Sequence, residues 1–420
     1  MTPVEKKATK IPSKKESEII FVRITGKEEP NLAHLTCDLL AKYDVTILDI
    51  RQAVIHEHFT LSLLLQVPSS ASEIYRDLVF KLTELGLGVR FTPVEEKEYV
   101  SWVNTPAQAQ YIITLLARKL TGLQLSSVTH IIHEHGLSIE TIYRLSGRTP
   151  LVPTNKDKVS VELAVRGELK DFNALRLSFL EVGFLHDVDI AFQKDNAYRR
   201  NRRLVCFDMD STLIEAEVID ELAKLQGVGN EVCQITESAM RGEIDFAESL
   251  KRRVALLKGL PTSRLEEVAK NLPLTEGVER LMSSLRALGY KTAIISGGFT
   301  YFGEALKKKL NMDYLFANEL EVEAGVLTGR LVGDIMDAIK KAETLNYLAQ
   351  KEQINLEQVI AVGDGANDIP MLNLAGLGIA FRAKPIVRNS ARQAISTLGL
   401  DAILYLLGVR DSDHADFHLN

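Results

Sequence analysis

The chain has 420 residues, 46% of them apolar and 25% charged, with a formal net charge of −6. That balance is of an ordinary globular protein, long enough for two or three domains with cores of their own. It argues against a nucleic-acid-binding surface, and no stretch is long and unbroken enough to be a membrane span, so neither nucleic acid nor membrane is expected as a partner.

Residues 1–18 are polar, lack an apolar run and read as a disordered tail without a signal peptide. The three cysteines, Cys37, Cys206 and Cys233, form no C-x-x-C pair. They suggest reduced thiols of a cytoplasmic protein, buried as small hydrophobes.

From residue 19 to 95 the hydrophobic period alternates. It predicts strand 19–24, helix 31–43, strands 45–58 and 59–67, helix 71–85 and strand 89–94, in the order βαββαβ. A second pass over 106–193 repeats it, with strand 111–117, helix 124–135, strands 137–145 and 159–165, helix 169–181 and strand 187–192. The segment from Tyr43 to Arg51 echoes that from His135 to Tyr143, as an internal duplication would. Trp102 and Pro106 fall in the connection between the copies. His56 and His58, and His133 and His135, lack a third ligand at useful spacing and read as surface histidines. Residues 194–203 carry Arg199, Arg200, Arg202 and Arg203 and read as a solvated linker, with nothing to make them a binding tract.

At Leu204–Phe207 a short apolar run reads as a strand buried on both faces of a parallel sheet, ending in Asp208 and Asp210. Strand ends of an open α/β sheet are where ligands bind, and two neighbouring carboxylates are most easily held ionised by a divalent metal. A lone D-x-D could equally close a strand as an Asx turn. Two later apolar runs have similar ends, however. One finishes in Ser296-Gly297-Gly298, the other in Gly363-Asp364-Gly365-Ala366-Asn367-Asp368. Three such endings point to joint metal and phosphate chemistry. Residues 217–274 show helical spacing and no strand, and predict a helical bundle that lies as a lid over the turn after the first strand. The whole unit is expected to span 204–410, with a tail at 411–420.

Phosphoryl transfer needs an in-line nucleophile, a cation on the phosphate oxygens and a proton for the leaving oxygen. Asp208, at the strand end, suits the attack, and Asp210 the proton transfer. Ser296 and the Gly297 amide would hold phosphate oxygens. Lys341 would neutralise nucleophile and phosphate together, with Lys340 as competing candidate.

The motifs D-M-D-S-T-L from Asp208, S-A-M-R-G-E-I-D-F and K-R-R-V-A-L-L-K-G-L in the lid, S-G-G-F and G-D-G-A-N-D occur in one order. With them the segment 204–407 resembles the haloacid dehalogenase superfamily and, within it, the phosphoserine phosphatases. The tandem βαββαβ units resemble ACT domains. Together these imply an α/β fold: a Rossmann-like parallel-sheet core with a helical-bundle cap, preceded by two ferredoxin-like domains. They imply hydrolysis of O-phospho-L-serine to L-serine through an aspartyl-phosphate, as the last step of serine biosynthesis. Implied Mg²⁺ ligands are Asp208, the backbone carbonyl of Asp210 and Asp364, with Asp368 holding the metal's shell and Asn367 orienting within the loop. By the same resemblance Glu217 takes the substrate ammonium, Arg253 its carboxylate, and Met240 and Phe246 close over it. The ACT resemblance implies a homodimer held largely by residues 19–193, with L-serine as an effector at the loop 26–31. A phosphotransferase, or a phosphatase for another small phosphomonoester, is the alternative. The unit after Arg203 would carry its own core and stay soluble without residues 1–197.

Overall fold

The computed structural model describes residues 17–413 apart from 29–30, 69–70, 72, 106–107, 153 and 155. The expected N-terminal tail, most of the C-terminal tail, and Glu29 and Pro30 of the effector loop lie outside the described residues. Contacts divide the chain into two units, one ending at Ala107 and the other beginning at Gln108.

The first unit is a four-stranded antiparallel sheet of β1 (Ser17–Lys27), β2 (Thr46–Ile55), β3 (His58–Pro68) and β4 (Gly88–Val94), in the order β2-β3-β1-β4. Helices Leu32–Leu40 and Glu73–Glu84 cover one face. Alternation along β1 and β3 sends Ile20, Val22, Ile24, Leu61, Leu63 and Leu65 into the core against Leu78 and Leu82. A helix the sequence reading missed, Glu96–Val103, follows β4. Two acids in its first turn favour it, and no proline or glycine interrupts it.

The second βαββαβ copy consists of β5 (Gln110–Ala117), β6 (Ser138–Arg144), β7 (Val159–Arg166) and β8 (Asp189–Lys194), in the order β6-β7-β5-β8. Its helices are Gly122–Glu134 and Phe172–His186.

The core that follows is one seven-stranded sheet. Its strands are β9 (Leu204–Phe207), β10 (Lys291–Phe299), β11 (Tyr314–Glu323), β12 (Val326–Val332), β13 (Val359–Gly363), β14 (Leu377–Phe381) and β15 (Gln393–Ile395). They lie in the order β12-β11-β10-β9-β13-β14-β15, all parallel except β12. The chain runs outward one way from β9 and then returns to its other side. The carboxyl end of β9 is thus a topological switch point, where the crevice of such sheets opens. Leu204, Val205, Cys206 and Phe207 are fully buried.

Between β9 and β10 the chain leaves for the cap. Its helices are Val218–Gln226, Gly229–Met240, Phe246–Ala255 and Thr262–Asn271, and Val218, Leu222, Val232, Leu250, Val254 and Leu265 form its interior. The two stems of the cap run side by side. Glu215 N donates to Pro273 O at 2.9 Å and Thr275 N to Leu213 O at 3.0 Å.

The second βαββαβ domain is docked on the seven-stranded core. Asp189 Oδ2 accepts from Ser396 N, Thr397 N and Thr397 Oγ1 at 2.7 to 2.8 Å. The Gln393 amide bonds both the N–H and the carbonyl of Phe192. Lys158 reaches Asp401 at 2.6 Å.

Two readings need correction. Arg199 and Arg202 of the expected solvated linker are buried between β8 and the core. The chain returns there alongside β13, with Arg203 N bonded to Gln358 O, so the segment is wall and not tether. Of the cysteines only Cys206 is buried, because Cys37 and Cys233 fall on the outward faces of amphipathic helices.

Candidate active site

Asp208 follows β9 directly, its N–H bonded to Val362 O of β13. The chain then turns sharply, with Ser211 at φ 56°, a left-handed conformation uncommon outside glycine and asparagine. The turn sends Asp210 back over the strand end, where its Oδ1 accepts from Val218 N at 3.0 Å.

Lys341 enters from the helix Ala338–Lys351, whose N-cap is Asp337. Its ammonium is fully buried and lies 2.9 Å from Asp208 Oδ1 and 2.6 Å from Asp368 Oδ1. Burial works against its charge, but the two carboxylates outweigh it and hold the ammonium above its ordinary range. Lys340 is exposed and faces Glu343. Geometry therefore separates the two lysines that sequence left open.

Asp364 sits across from Asp208 and accepts from Thr212 Oγ1 at 3.2 Å. Burial, then Asp208 and Asp368, push its carboxyl up to about 8. Asp368 is pushed to about 6 by burial and by Asp208, against the pull of Lys341, and its Oδ2 accepts from Gly365 N. Carboxylate oxygens of Asp208, Asp364 and Asp368 lie within 4.8 Å of one another. So close a set, with only one lysine to offset three acids, has the composition of a hard-cation site. Asp210 is held well above its ordinary value, first by burial and then by Glu217 and Asp208.

The irregular end of β10, Ser296–Gly298, lies opposite. Ser296 is buried and its Oγ accepts from Gly298 N at 3.0 Å. A Cβ on Gly297 would come within 2.9 Å of Phe246 Cζ, and one on Gly298 within 2.4 Å of Asp210 Oδ2. Glycine is required here so that backbone and carboxylate can approach. Asn318, which the sequence reading missed, fixes this stretch. It is buried, donates to Gly297 O at 2.8 Å and accepts from Met336 N at 2.8 Å. Its sequence signal was weak, because the same strand also carries Glu319, Glu321 and Glu323.

From the cap come Glu217, Met240, Phe246 and Arg253. All four line one cavity of about 610 Å³ with Asp208, Asp210, Ser296, Gly297, Asp364 and Asn367. Glu217 Oε1 accepts from Ser211 Oγ at 2.8 Å. Desolvation in the cleft and the nearby Asp208 raise its carboxyl against that bond. Arg253 is half-buried, and its Nε reaches Ser249 O of its own helix, leaving the fork turned to the cavity without a carboxylate partner. Met240 is largely exposed at the rim, with Lys384 Nζ 3.6 Å from its sulfur.

A family model described as haloacid dehalogenase-like hydrolase matches residues 202–376, and one described as ACT domain matches 18–92. The chain is 36% identical over 393 residues to a phosphoserine phosphatase of Mycobacterium tuberculosis, covering 93% of each chain. The chain belongs to the phosphoserine phosphatase family. A phosphoserine phosphatase of Streptomyces coelicolor is 38% identical over 393 residues, 93% of this chain and 92% of that one. Among solved structures, a probable phosphoserine phosphatase from Vibrio cholerae aligns with a TM-score of 0.57 at 36% identity, over 71% of this chain and 86% of that one. The phosphoserine phosphatase cavity thus lies between the β9 switch point and the cap, and no helix among the described residues is long and apolar enough to cross a membrane.

Proposed function

We propose that this enzyme hydrolyses O-phospho-L-serine through a phosphorylated Asp208, as the last step of serine biosynthesis. The observation that carries the reading is the Lys341 ammonium between Asp208 and Asp368, in a cavity shared with Ser296, Glu217 and Arg253. The 2.9 Å pair with the lysine aims the Asp208 carboxylate, as an attacking oxygen must be aimed.

In the first step an Asp208 oxygen attacks phosphorus and the bond to the serine oxygen breaks. Asp210, whose raised affinity for a proton suits a general acid, gives that proton to the departing oxygen. In the second step a water attacks phosphorus, Asp210 takes its proton, and the Asp208–phosphorus bond breaks. Ser296 Oγ and the Gly297 amide hold the phosphoryl oxygens through both. Glu217 takes the ammonium of the substrate and Arg253 its carboxylate as a bidentate pair. Phe246 and Met240 close over the bound substrate and keep bulk water from the phosphorylated aspartate.

Asp208, Asp364 and the backbone carbonyl of Asp210 would hold Mg²⁺, with Asp368 and Asn367 ordering the loop around it. When bound it supplies positive charge to the phosphoryl oxygens. Without such charge a carboxylate 4 Å from a phosphate dianion meets about 8 kcal/mol of repulsion at an effective dielectric of about 20.

The test is phosphate release from O-phospho-L-serine with Mg²⁺ and with EDTA, run with and without an acceptor alcohol. Release that needs Mg²⁺ and yields free serine and phosphate supports the reading. Transfer to the alcohol in preference to water would make the enzyme a phosphotransferase.

The ACT-like domains carry a second part of the reading: L-serine binds at the loop 26–31 and regulates a homodimer. Asn31 takes a left-handed turn there, and a Cβ at Gly26 would meet Leu87, so the backbone is closely packed at that point. Ile47, Ile50 and Val54, paired with Leu65, Leu63 and Phe59 of β3, share one face and leave an apolar stripe exposed on β2, of the kind a second subunit covers. Serine must bind one arrangement more tightly to shift anything. Sedimentation with and without L-serine tests this; a monomer at all concentrations would overturn it. The exposed free thiols of Cys37 and Cys233 suit a reducing cytoplasm.

A further inference from the structure

A second cavity, of about 710 Å³, lies away from the catalytic cleft, between the second βαββαβ domain and the flank of the parallel sheet. Its volume is within the range of small-molecule sites. Its charge is one-sided. Arg176, Lys194, Arg199, Arg202 and Arg392 line it, against Glu357 alone.

The neighbours of these cations leave most of them without an anion. Arg176 donates to the carbonyls of Ala391 and Asn389. Arg199 is the exception, at 2.6 Å from Glu162. Arg202 is buried, and one of its nitrogens donates to Gln193 Oε1 at 3.0 Å. The other two, Nε and Nη1, are buried with no partner among the described residues. Gln193 is itself buried and anchored to Leu406 O, so Arg202 is held in place by a side chain committed to it. Burial lowers the Arg202 guanidinium to about 10, with Tyr290 opposing weakly.

A buried guanidinium facing no carboxylate is costly, and a fold that retains one gains when an anion stands over it. Lys194 and Arg392, exposed at the wall, are placed to make the direct contacts. The mouth adds a flat apolar element, because the rings of Phe172 and Tyr198 both line the cavity and are 36% and 42% exposed. Arginines and lysine beside exposed rings suit a ligand that joins phosphate to a planar base.

We propose that this cavity is a binding site for a small organic phosphate carrying a planar ring, of the nucleoside diphosphate class. The ligand's phosphates lie over Arg202 against Lys194 and Arg392, and its ring lies against Phe172 and Tyr198. The site spans the joint between β8 and the β14–β15 flank, so its occupancy tightens the docking of the second domain on the phosphatase core. The basic run 199–203 is then functional as well as structural.

Calorimetric titration of the full chain with ADP, in EDTA, tests the assignment. The wild type should bind one ADP per chain with a dissociation constant in the tens of micromolar. Arg392→Glu and Arg202→Met should each weaken it at least tenfold. Asp208→Asn should leave it unchanged, and pyrophosphate and adenosine should each bind at least tenfold more weakly than ADP. Absence of saturation at millimolar ADP overturns the proposal, as does binding indifferent to Arg392→Glu or lost in Asp208→Asn. Pyrophosphate binding as tight as ADP overturns the assignment to a ringed ligand. Should Arg202→Met not fold, Arg392→Glu and Lys194→Glu, both at exposed positions, decide the matter.

Discussion

Arg118 and Glu276 face each other in a parallel two-point pair, with Nη1 and Nη2 at 3.0 and 2.6 Å from the two carboxylate oxygens. Arg118 stands on the loop after β5, and its Nε also donates to Thr397 O at 3.0 Å. Glu276 comes just after the cap's return stem. It lies 3.4 Å from Arg382, which pairs at 2.9 Å with Glu215 on the outgoing stem. One guanidinium of the second βαββαβ domain is thereby linked to both stems of the cap. Arg118→Ala should cost about 1.5–3 kcal/mol of stability, the usual worth of charge-assisted bonds. It should also change KM for phosphoserine more than the rate on a small aryl phosphate, because the cap matters most to the amino-acid end. Urea melts and paired kinetics check both; an unchanged KM would mean that the tie holds the domains only.

Asp208→Asn should reduce phosphate release to a trace while leaving the thermal midpoint within a few degrees of wild type. It removes the attacking charge but keeps the shape. A single-turnover search for phosphorylated protein, positive in the wild type and negative in the variant, checks the covalent step. Retention of more than a few per cent of activity would exclude it.

Arg253→Ala should raise KM for phosphoserine by tens to hundreds of fold, since a charge-assisted pair of about 2–4 kcal/mol is lost. An aryl phosphate without a carboxylate should suffer far less. Equal losses on the two substrates would assign Arg253 to the fold of the cap.

Loading with Mg²⁺ should release protons near neutral pH. Asp364, raised to about 8, and Asp368, raised to about 6, retain protons without metal that a carboxylate ligand must give up. A raised folded-state pKa contributes stability that is fully present below the unfolded value. That stability is lost as pH rises through about 8, so the metal-free protein should lose stability from pH 5 to 8 and Mg²⁺ should restore it. Titrations in two buffers of different ionisation enthalpy count the protons, and none released at pH 7 would contradict the shift.

Asp189 offers a test of the docked domain. Burial raises its carboxyl above the ordinary range, against the bonds from Thr397 and Ser396. The stability tied to that raised value is present at low pH and declines once Asp189 ionises. Asp189→Asn keeps an acceptor oxygen and removes the charge, so it should equal or exceed wild type at pH 7 and lose that advantage below about pH 4. Asp189→Ala leaves the N–H groups of Ser396 and Thr397 unpaired, while Thr397 Oγ1 keeps Leu116 O, and should cost about 2–4 kcal/mol. Denaturation at the two pH values distinguishes the three proteins.

The strands that matter for chemistry were legible because each is a short apolar run ending in polar residues of a rare pattern. Leu204–Phe207 followed by Asp208 and Asp210 carries the switch point in seven letters. The cap helices were legible from spacing, to within about two residues at their ends. Lys341 and Lys340 were not separable, because adjacent helix residues point about 100° apart and only packing says which faces inward. Nor could sequence show Asn318, the buried Arg202 or the Arg118–Glu276 pair. Asn318 and Arg118 depend on partners about twenty and more than a hundred residues away, and the burial of Arg202 on how β8 packs against the core. The ties between the second βαββαβ domain and the core are of the same long-range kind. Without β8 and Lys158, the Gln393 amide loses both its partners and the buried Asp401 keeps only Arg280.

The Gln393 amide bonded to Phe192 also limits how subunits can associate. A side chain that accepts from the N–H and donates to the carbonyl of one strand residue imitates the next strand of a ladder, and so closes that edge to any other. In the second βαββαβ sheet β8 is one rim and β6 the other. Any partner that extends this sheet edge to edge must therefore join at β6, beside the exposed Ile142 and Tyr143. Two-fold assemblies that continue this sheet strand to strand are then restricted to one rim, and the rim that carries the catalytic core stays inside each copy.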